Sequence, residues 1–270
     1  MPVTAQRLLA LMNGEEISAS KIAELVEFDQ AIAASVLRLA RSWAHGGARP
    51  PETVRDAVVR LGTVALLNLV LGDYLTRIRR SAPLYDLSED DLWAHAAASQ
   101  LAARALMQES PESKLPPVAT TAALVHDIGK LVMSRCLNAS VDTIVAHARG
   151  RGITFVQAEQ DLFGVNHAAV GAAIAIEWHF PDVVTDAIAR HHDADLRVST
   201  PVLDAVVIAN IVAKNIGAGL GAEGFNLSID SACVRRFGLD FPRFARVCLQ
   251  TDAWLRELRL SQAHPSPARA

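Results

Sequence analysis

The sequence predicts an all-α fold, a multi-helix bundle. Two observations predict it. Apolar residues recur at helical spacing through Ala-rich stretches along almost the whole chain. No stretch alternates apolar and polar residues with the period of a strand, and no internal repeat is visible. Composition agrees: of 270 residues, 51% are hydrophobic and 20% charged, enough for a sizeable buried core.

The elements follow in order. Ala5 to Met12 reads as a short amphipathic helix ended at Asn13-Gly14. Ser18 or Ser20 can cap a second helix carrying Ile22, Leu25 and Val26. Asp29 can cap a third, with Ile32, Ala33, Val36, Leu37 and Ala40 on one face. Gly46 to Pro51 breaks the pattern. Thr53 to Leu61 forms a further helix. Gly62-Thr63 then opens a run to about Arg80 that is apolar nearly all round at 64–71, so it should be central. Residues 81–87 read as a loop between two lobes.

Ser88 with Asp91 fits a variant of the capping box, opening a long helix to about Gln108. The stretch "ESPESKLPP" is a loop. One helix then ends near His126, and another runs from about Gly129 to Leu137. Ser140 and Thr154 cap the next two, and Asn166 caps a helix from His167 to Trp178. Pro181 restarts the chain towards His191-His192. Ser199-Thr200-Pro201 starts a helix to about Gly217, with proline at its first position. Two more helices follow near 229–237 and 241–258, and the tail 261–270 should be disordered.

Composition excludes several classes. A net charge of −3 and a pI of about 6.3 give no electrostatic reason to expect nucleic acid, despite the basic patch Arg77, Arg79, Arg80. Cys136, Cys233 and Cys248 are far apart in helical patterns and read as buried thiols in a reducing compartment. No signal peptide is visible. The longest apolar run, Val202 to Ala213, is short of a membrane span and broken by Asp204 and Asn210. The expected location is cytoplasmic.

The chemistry centres on Leu124-Val125-His126-Asp127-Ile128-Gly129-Lys130. A neutral imidazole and a carboxylate are both ligands for divalent metals, and the carboxylate can reach a second ion. Lys130, four residues after His126, falls on the same helical face and could meet a phosphate. On its own the pair is a weak signal, since Asp often caps and His often packs. Four further histidines lie in or beside apolar helical patterns, where a neutral ligand is less costly than a charge. These are His95, His167, His191 and His192. The last two would point ~100° apart on a continuing helix, so one can be a ligand and the other a donor behind it. His45, His147, His179 and His264 fit no pattern of this kind and read as surface or packing residues. Trp43, Trp93, Trp178 and Trp254 read as core.

The order His95, His126-Asp127, His167, His191-His192 resembles the HD superfamily of metal-dependent phosphohydrolases, and in detail its HDOD branch. The matching text is "LVHDIGKLVMSR" followed by "AEQDLFGVNHAAVGAAIAIEWHFPDVVTDAIARHH". Upstream, "AELVEFDQAIAASVLRLARSWAHGG" and "RDAVVRLG" resemble the N-terminal half of HDOD domains. The resemblance spans about residues 4 to 258 and implies an N-terminal helical lobe, 1–82, packed on an HD-type lobe, 83–260. It implies His95, His126, Asp127, His167, His191 and His192 as metal ligands, with Asp91 and Asn210 peripheral, and Asp127 and Lys130 as the catalytic candidates. The metal would be Fe, Mn, Mg, Ni or Zn, or the site would be empty.

Two departures weigh on activity. Catalytic HD enzymes close the site with a later aspartate, and the matching position here is Asn210, an uncharged and weaker ligand. Asp204 and Asp193 are substitutes off the motif position. No Gly-Tyr-Pro follows His191-His192, which counts against cyclic-di-GMP hydrolysis. Arg41, where relatives usually carry Asn, is a smaller difference. The resemblance thus implies a bacterial regulatory module that acts by protein–protein contact. Its partners would be receiver, kinase or cyclic-dinucleotide signalling proteins, and its metal site vestigial or weakly occupied. The alternative is a metal-dependent phosphohydrolase or phosphodiesterase acting on a nucleotide or phosphoester.

Overall fold

In the computed structural model every regular element among the described residues is helical, apart from one isolated bridge, Ala82 to Leu87. The described residues are 3–12, 19–27, 30–42, 51, 53–77, 82–110, 114–193, 197–223 and 231–263. Outside them fall Trp43, His45, Arg79, Arg80 and His264, the caps expected at Ser18 and Asp29, and the end of the tail. The side chains of Arg41 and Arg77 also fall outside. The chain divides into two compact units. One lies within 1–78 and also takes in 175–181; the other lies within 79–174 and 182–270.

The first unit is built on α1 (Val3–Met12), α2 (Ala19–Glu27), α3 (Gln30–Ser42) and α4 (Val54–Arg77). α4 packs against the other three. Its Leu66, Leu67, Val70 and Leu71 are buried, while Val64 and Leu69 are half-buried. The break expected at Gly62 is present: its φ of 75° and ψ of 164° interrupt α4, a conformation that costs a side-chain-bearing residue dearly.

In the second unit a 3-10 turn, Pro83–Tyr85, precedes α5 (Glu89–Glu109), α6 (Val118–Val125) and α7 (Ile128–Cys136). Then come α8 (Val141–Arg151), α9 (Phe155–Phe163), α10 (His167–Glu177) and α11 (Asp182–Arg190). The last are α12 (Pro201–Asn215), α13 (Ser231–Arg236) and α14 (Phe241–Ala263). Every residue of α12 from Val202 to Lys214 is buried. It packs against α5, α6, α11, α13 and α14, which accounts for the longest apolar run in the chain. No helix among the described residues is long and apolar enough to cross a membrane.

Among the described residues of the second unit the expected caps are in place. Ser88 and Asp91 form a reciprocal capping box, and Thr154 does the same with Gln157. Ser140 accepts from the Thr143 amide, Asn166 from that of Ala169, and Thr200 from that of Leu203.

The structure corrects two details of burial. Only Cys233 is buried; Cys136 ends α7 in an exposed position and Cys248 is half-buried. Trp93, Trp178 and Trp254 are half-buried rather than core, and Trp254 lies 4.7 Å beneath the Arg104 guanidinium.

Candidate metal centre

α6 is buried from Ala119 to Val125, and it stops one residue before His126. His126 and Asp127 occupy the turn into α7, so an imidazole and a carboxylate are delivered together to the interior. α5 brings His95 from its buried face. His167 is the first residue of α10. α11 ends at Arg190, which frees His191 and His192 from the ~100° helical offset. Both therefore reach the same place.

α7 and α10 can approach closely because Gly129 and Gly171 face each other. A Cβ on Gly129 would collide with the backbone of His167 and Gly171. A Cβ on Gly171 would press on Ile188 of α11.

The five imidazoles surround one carboxylate. His95 Nε2 and His126 Nε2 each lie 3.5 Å from Asp127 Oδ2. His167 Nε2 and His191 Nε2 each lie 3.4 Å from Asp127 Oδ1. His192 Nε2 lies 3.0 Å from His167 Nε2. Two sets of donors with metal-ligand spacing result. One is Asp127 with His167, His191 and His192; the other is Asp127 with His95 and His126.

The tautomers follow from the partners. His95 Nδ1 is 3.0 Å from the Ala218 carbonyl, His126 Nδ1 is 2.8 Å from that of Ala123, and His191 Nδ1 is 2.7 Å from that of Ile188. A carbonyl only accepts, so each Nδ1 carries the hydrogen and a neutral ring leaves Nε2 bare. His167 Nδ1 donates to Glu159 Oε2 at 2.7 Å, which turns its Nε2 towards Asp127 and His192. Burial keeps the rings neutral: it lowers His95 to about 4, and lowers His126, His191 and His192 as well. Burial opposes the charge on Asp127, but the Lys130 ammonium outweighs it and holds the carboxyl well below its ordinary range.

The donors fit a metal. His95 Nε2, His126 Nε2, His191 Nε2 and Asp127 Oδ1 are all buried with no hydrogen-bond partner. Each such orphan costs about 1–3 kcal/mol, and a divalent ion in either donor set would relieve the orphans of that set. Donor hydrogens fixed behind the ring nitrogens are the arrangement that aims ligating histidines.

Around this centre lie residues the sequence did not single out. Glu159 is fully buried; besides His167 Nδ1 it accepts the His167 amide at 3.2 Å. The Tyr85 hydroxyl donates to its other oxygen at 2.5 Å. Burial, then Glu159, push the Tyr85 phenol far above its usual range, so it remains a donor. Tyr85 sits in a small core with Leu84, Met133, Ile144 and Ala158. Glu223 pairs with Lys130 at 2.5 Å. Burial opposes its charge, yet the Lys130 ammonium brings its carboxyl down to about 2. Lys214, one turn after Asn210, is buried within the field of Glu223, Lys130 and Asp127. No local pattern marks any of these four.

The remaining candidates fall as follows. Lys130 Nζ, besides Glu223, holds Asp127 Oδ2 at 2.8 Å, and its pKa is raised by these two carboxylates despite burial. Asp91 uses its carboxylate in the Ser88 cap, at 3.0 Å from the Ser88 amide, and is not among the clustered donors. Asp204 is held by Arg236, Ser199 and Cys233, and Asp193 by Arg190. Asn210 is buried on α12, which packs on the helices carrying His95 and leading to His126 and His191; its Oδ1 has no hydrogen-bond partner. His147 pairs with Asp161 away from the cluster.

Comparison with known proteins places this geometry. The crystal structure of an HDOD domain protein from Geobacter sulfurreducens is similar, with a TM-score of 0.69 and 26% identity. The match covers 97% of this chain and 91% of that one. A protein from Marinobacter aquaeolei named for signal transduction gives 0.70 at 24% identity, over 96% and 59% of the two chains. One from Shewanella amazonensis named for phosphohydrolase activity gives 0.63 at 22%, over 93% and 94%. The last two show the fold alone. A curated protein of Treponema pallidum is 24% identical over 219 residues, 79% of this chain and 42% of its own, so the chain spans less than half of that relative. The HDOD domain itself matches residues 1–194, a span that contains all six clustered donors. The chain belongs to the HDOD domain family.

Proposed function

We propose that this chain is a regulatory signal-transduction module whose HD-type unit holds a divalent metal for structure or sensing, with little or no turnover. The observation that carries it is the ligand set: five histidines share a single carboxylate, and the ammonium beside that carboxylate is already engaged. Lys130 is best placed by spacing to meet a phosphate, yet its charge is directed at Asp127 and Glu223. Asn210 offers a dipole where a catalytic relative offers a charge. Output through contact with receiver, kinase or cyclic-dinucleotide proteins is part of this proposal.

A second reading, a metal-dependent phosphohydrolase, is favoured by one observation: the two donor sets share Asp127, as a centre gripping two ions would. A bound divalent ion would supply Lewis acidity and an activated water there. The chain's own residues would hold it, exclude bulk water and keep the ligand rings neutral.

The test is Asn210→Asp against the parent, with metal content and turnover of a generic phosphodiester measured together under added Mn²⁺, Mg²⁺, Fe²⁺ or Ni²⁺. The expected parent turnover is feeble, and the substitution should raise metal retention by at least tenfold, about 1.4 kcal/mol. Robust parent turnover abolished by Asp127→Ala would overturn the regulatory reading and establish the enzyme.

A further inference from the structure

We infer that the two donor sets are unequal by construction: Glu159 makes the His167–His191–His192 side of Asp127 the tight subsite, and Lys130 occupies the place of a second cation on the His95–His126 side. The inference rests on reading the cluster as a metal centre and adds which half of it fills.

The asymmetry is in the two oxygens of Asp127. Oδ1 faces His167 and His191 at 3.4 Å and has no hydrogen-bond partner. Behind His167 stands Glu159, a fully buried carboxylate accepting from Nδ1 at 2.7 Å. It brings a second negative charge to this side through the ring, and a carboxylate behind an imidazole raises its basicity as a ligand. Glu159 is itself fixed by Tyr85, so the ring has one orientation. Three histidines converge here with the free oxygen.

Oδ2 faces His95 and His126 at 3.5 Å, but the Lys130 ammonium already lies 2.8 Å away. The rings on this side are backed by the neutral carbonyls of Ala218 and Ala123. A divalent ion placed here would share its only anionic oxygen with a buried cation. Two cations a few ångströms apart in a poorly screened interior repel strongly. Glu223 offsets the Lys130 charge, but Lys214 also lies in that field. Lys130 thus gives Asp127 a counter-charge without a second metal. Glu159 is a positioning residue for His167, and Lys130 is a determinant of how many ions bind.

The experiment titrates metal-free protein with Co²⁺, reading stoichiometry by calorimetry and coordination by the visible absorption of the bound ion. The parent should take up one tight equivalent. Glu159→Gln, which keeps the shape but removes the charge, should weaken it at least tenfold and shift the absorption band. His167→Ala should cost at least ten times more affinity for that ion than His95→Ala. Charge-balanced removal of the second-side cation, Lys130→Met with Glu223→Gln, should admit a second equivalent. If that double variant does not fold, as judged by circular dichroism, the Glu159 and histidine comparisons still decide. Two equal equivalents in the parent would overturn the asymmetry while leaving the metal centre standing. Unchanged affinity in Glu159→Gln, or equal losses in the two histidine variants, would do the same. No Co²⁺ uptake by the parent at any concentration would overturn the metal centre itself.

Discussion

His95, His126 and His191 each commit Nδ1 to a backbone carbonyl and leave Nε2 bare. Such rings are paid for by burial, and acid should expose the cost. Burial brings the His95 pKa down from an ordinary 6.5 to about 4 in the folded chain. Between these values the unfolded chain binds the extra proton, so this contribution is complete above pH 6.5 and is lost as pH falls towards 4. His126, His191 and His192 act in the same direction. Glu223, held at about 2, adds its own loss only below about 4.5. Metal-free protein should therefore be less stable at pH 5 than at pH 7.5 by about 2 kcal/mol from His95 alone, read as a lower urea midpoint. An unchanged midpoint would mean that these rings are not buried and neutral.

The glycine contact between α7 and α10 governs whether those residues meet. Gly129→Ala should push α10 away from the His126–Asp127 turn, destabilising the chain by about 1–3 kcal/mol, as overpacking does. It should also weaken Co²⁺ binding, since His167 moves with α10. Thermal melts and titration of the same sample check both; loss of stability with undiminished binding would refute the link.

Much of this architecture was readable in advance because its signals are local. Ser88, Thr154, Asn166 and Thr200 cap the helices they precede, and Gly62 breaks α4 where the pattern breaks. The histidine order was equally readable. The rest depends on distant contacts. Glu159 is one acidic residue among many, Glu223 is nearly a hundred positions from Lys130, and Tyr85 looks like loop. The convergence of His191 with His192 required knowing that α11 stops at Arg190, and nothing at Cys136 signals which side of α7 it ends on.

At the scale of the molecule, the first unit has its own core around α4 and the second around α12, with every clustered donor in the second. Metal at one hundred times its dissociation constant should stabilise the native state by about 2.7 kcal/mol. Hydrogen exchange followed by mass spectrometry should show that protection in α5, α6, α7 and α12. The amides of α1 to α3 should not respond. Equal protection in both units would show that they unfold as one.

The segment just after α12 sets a lower bound on the length of a working piece of this protein. The HDOD match ends at residue 194, yet the carbonyl that orients His95 belongs to Ala218 and the carboxylate that steadies Lys130 belongs to Glu223. Gly219 lies so close to Asp91 and His95 that no side chain fits there, and the Ala222 amide donates to the Tyr85 carbonyl. A recombinant fragment 1–194 would carry all six donors and still lack the wall they lean on. It should express as aggregated or metal-free material, whereas 1–263 should be well behaved. Residue inventories drawn at a family's edge would thus call the shorter piece complete when the fold does not.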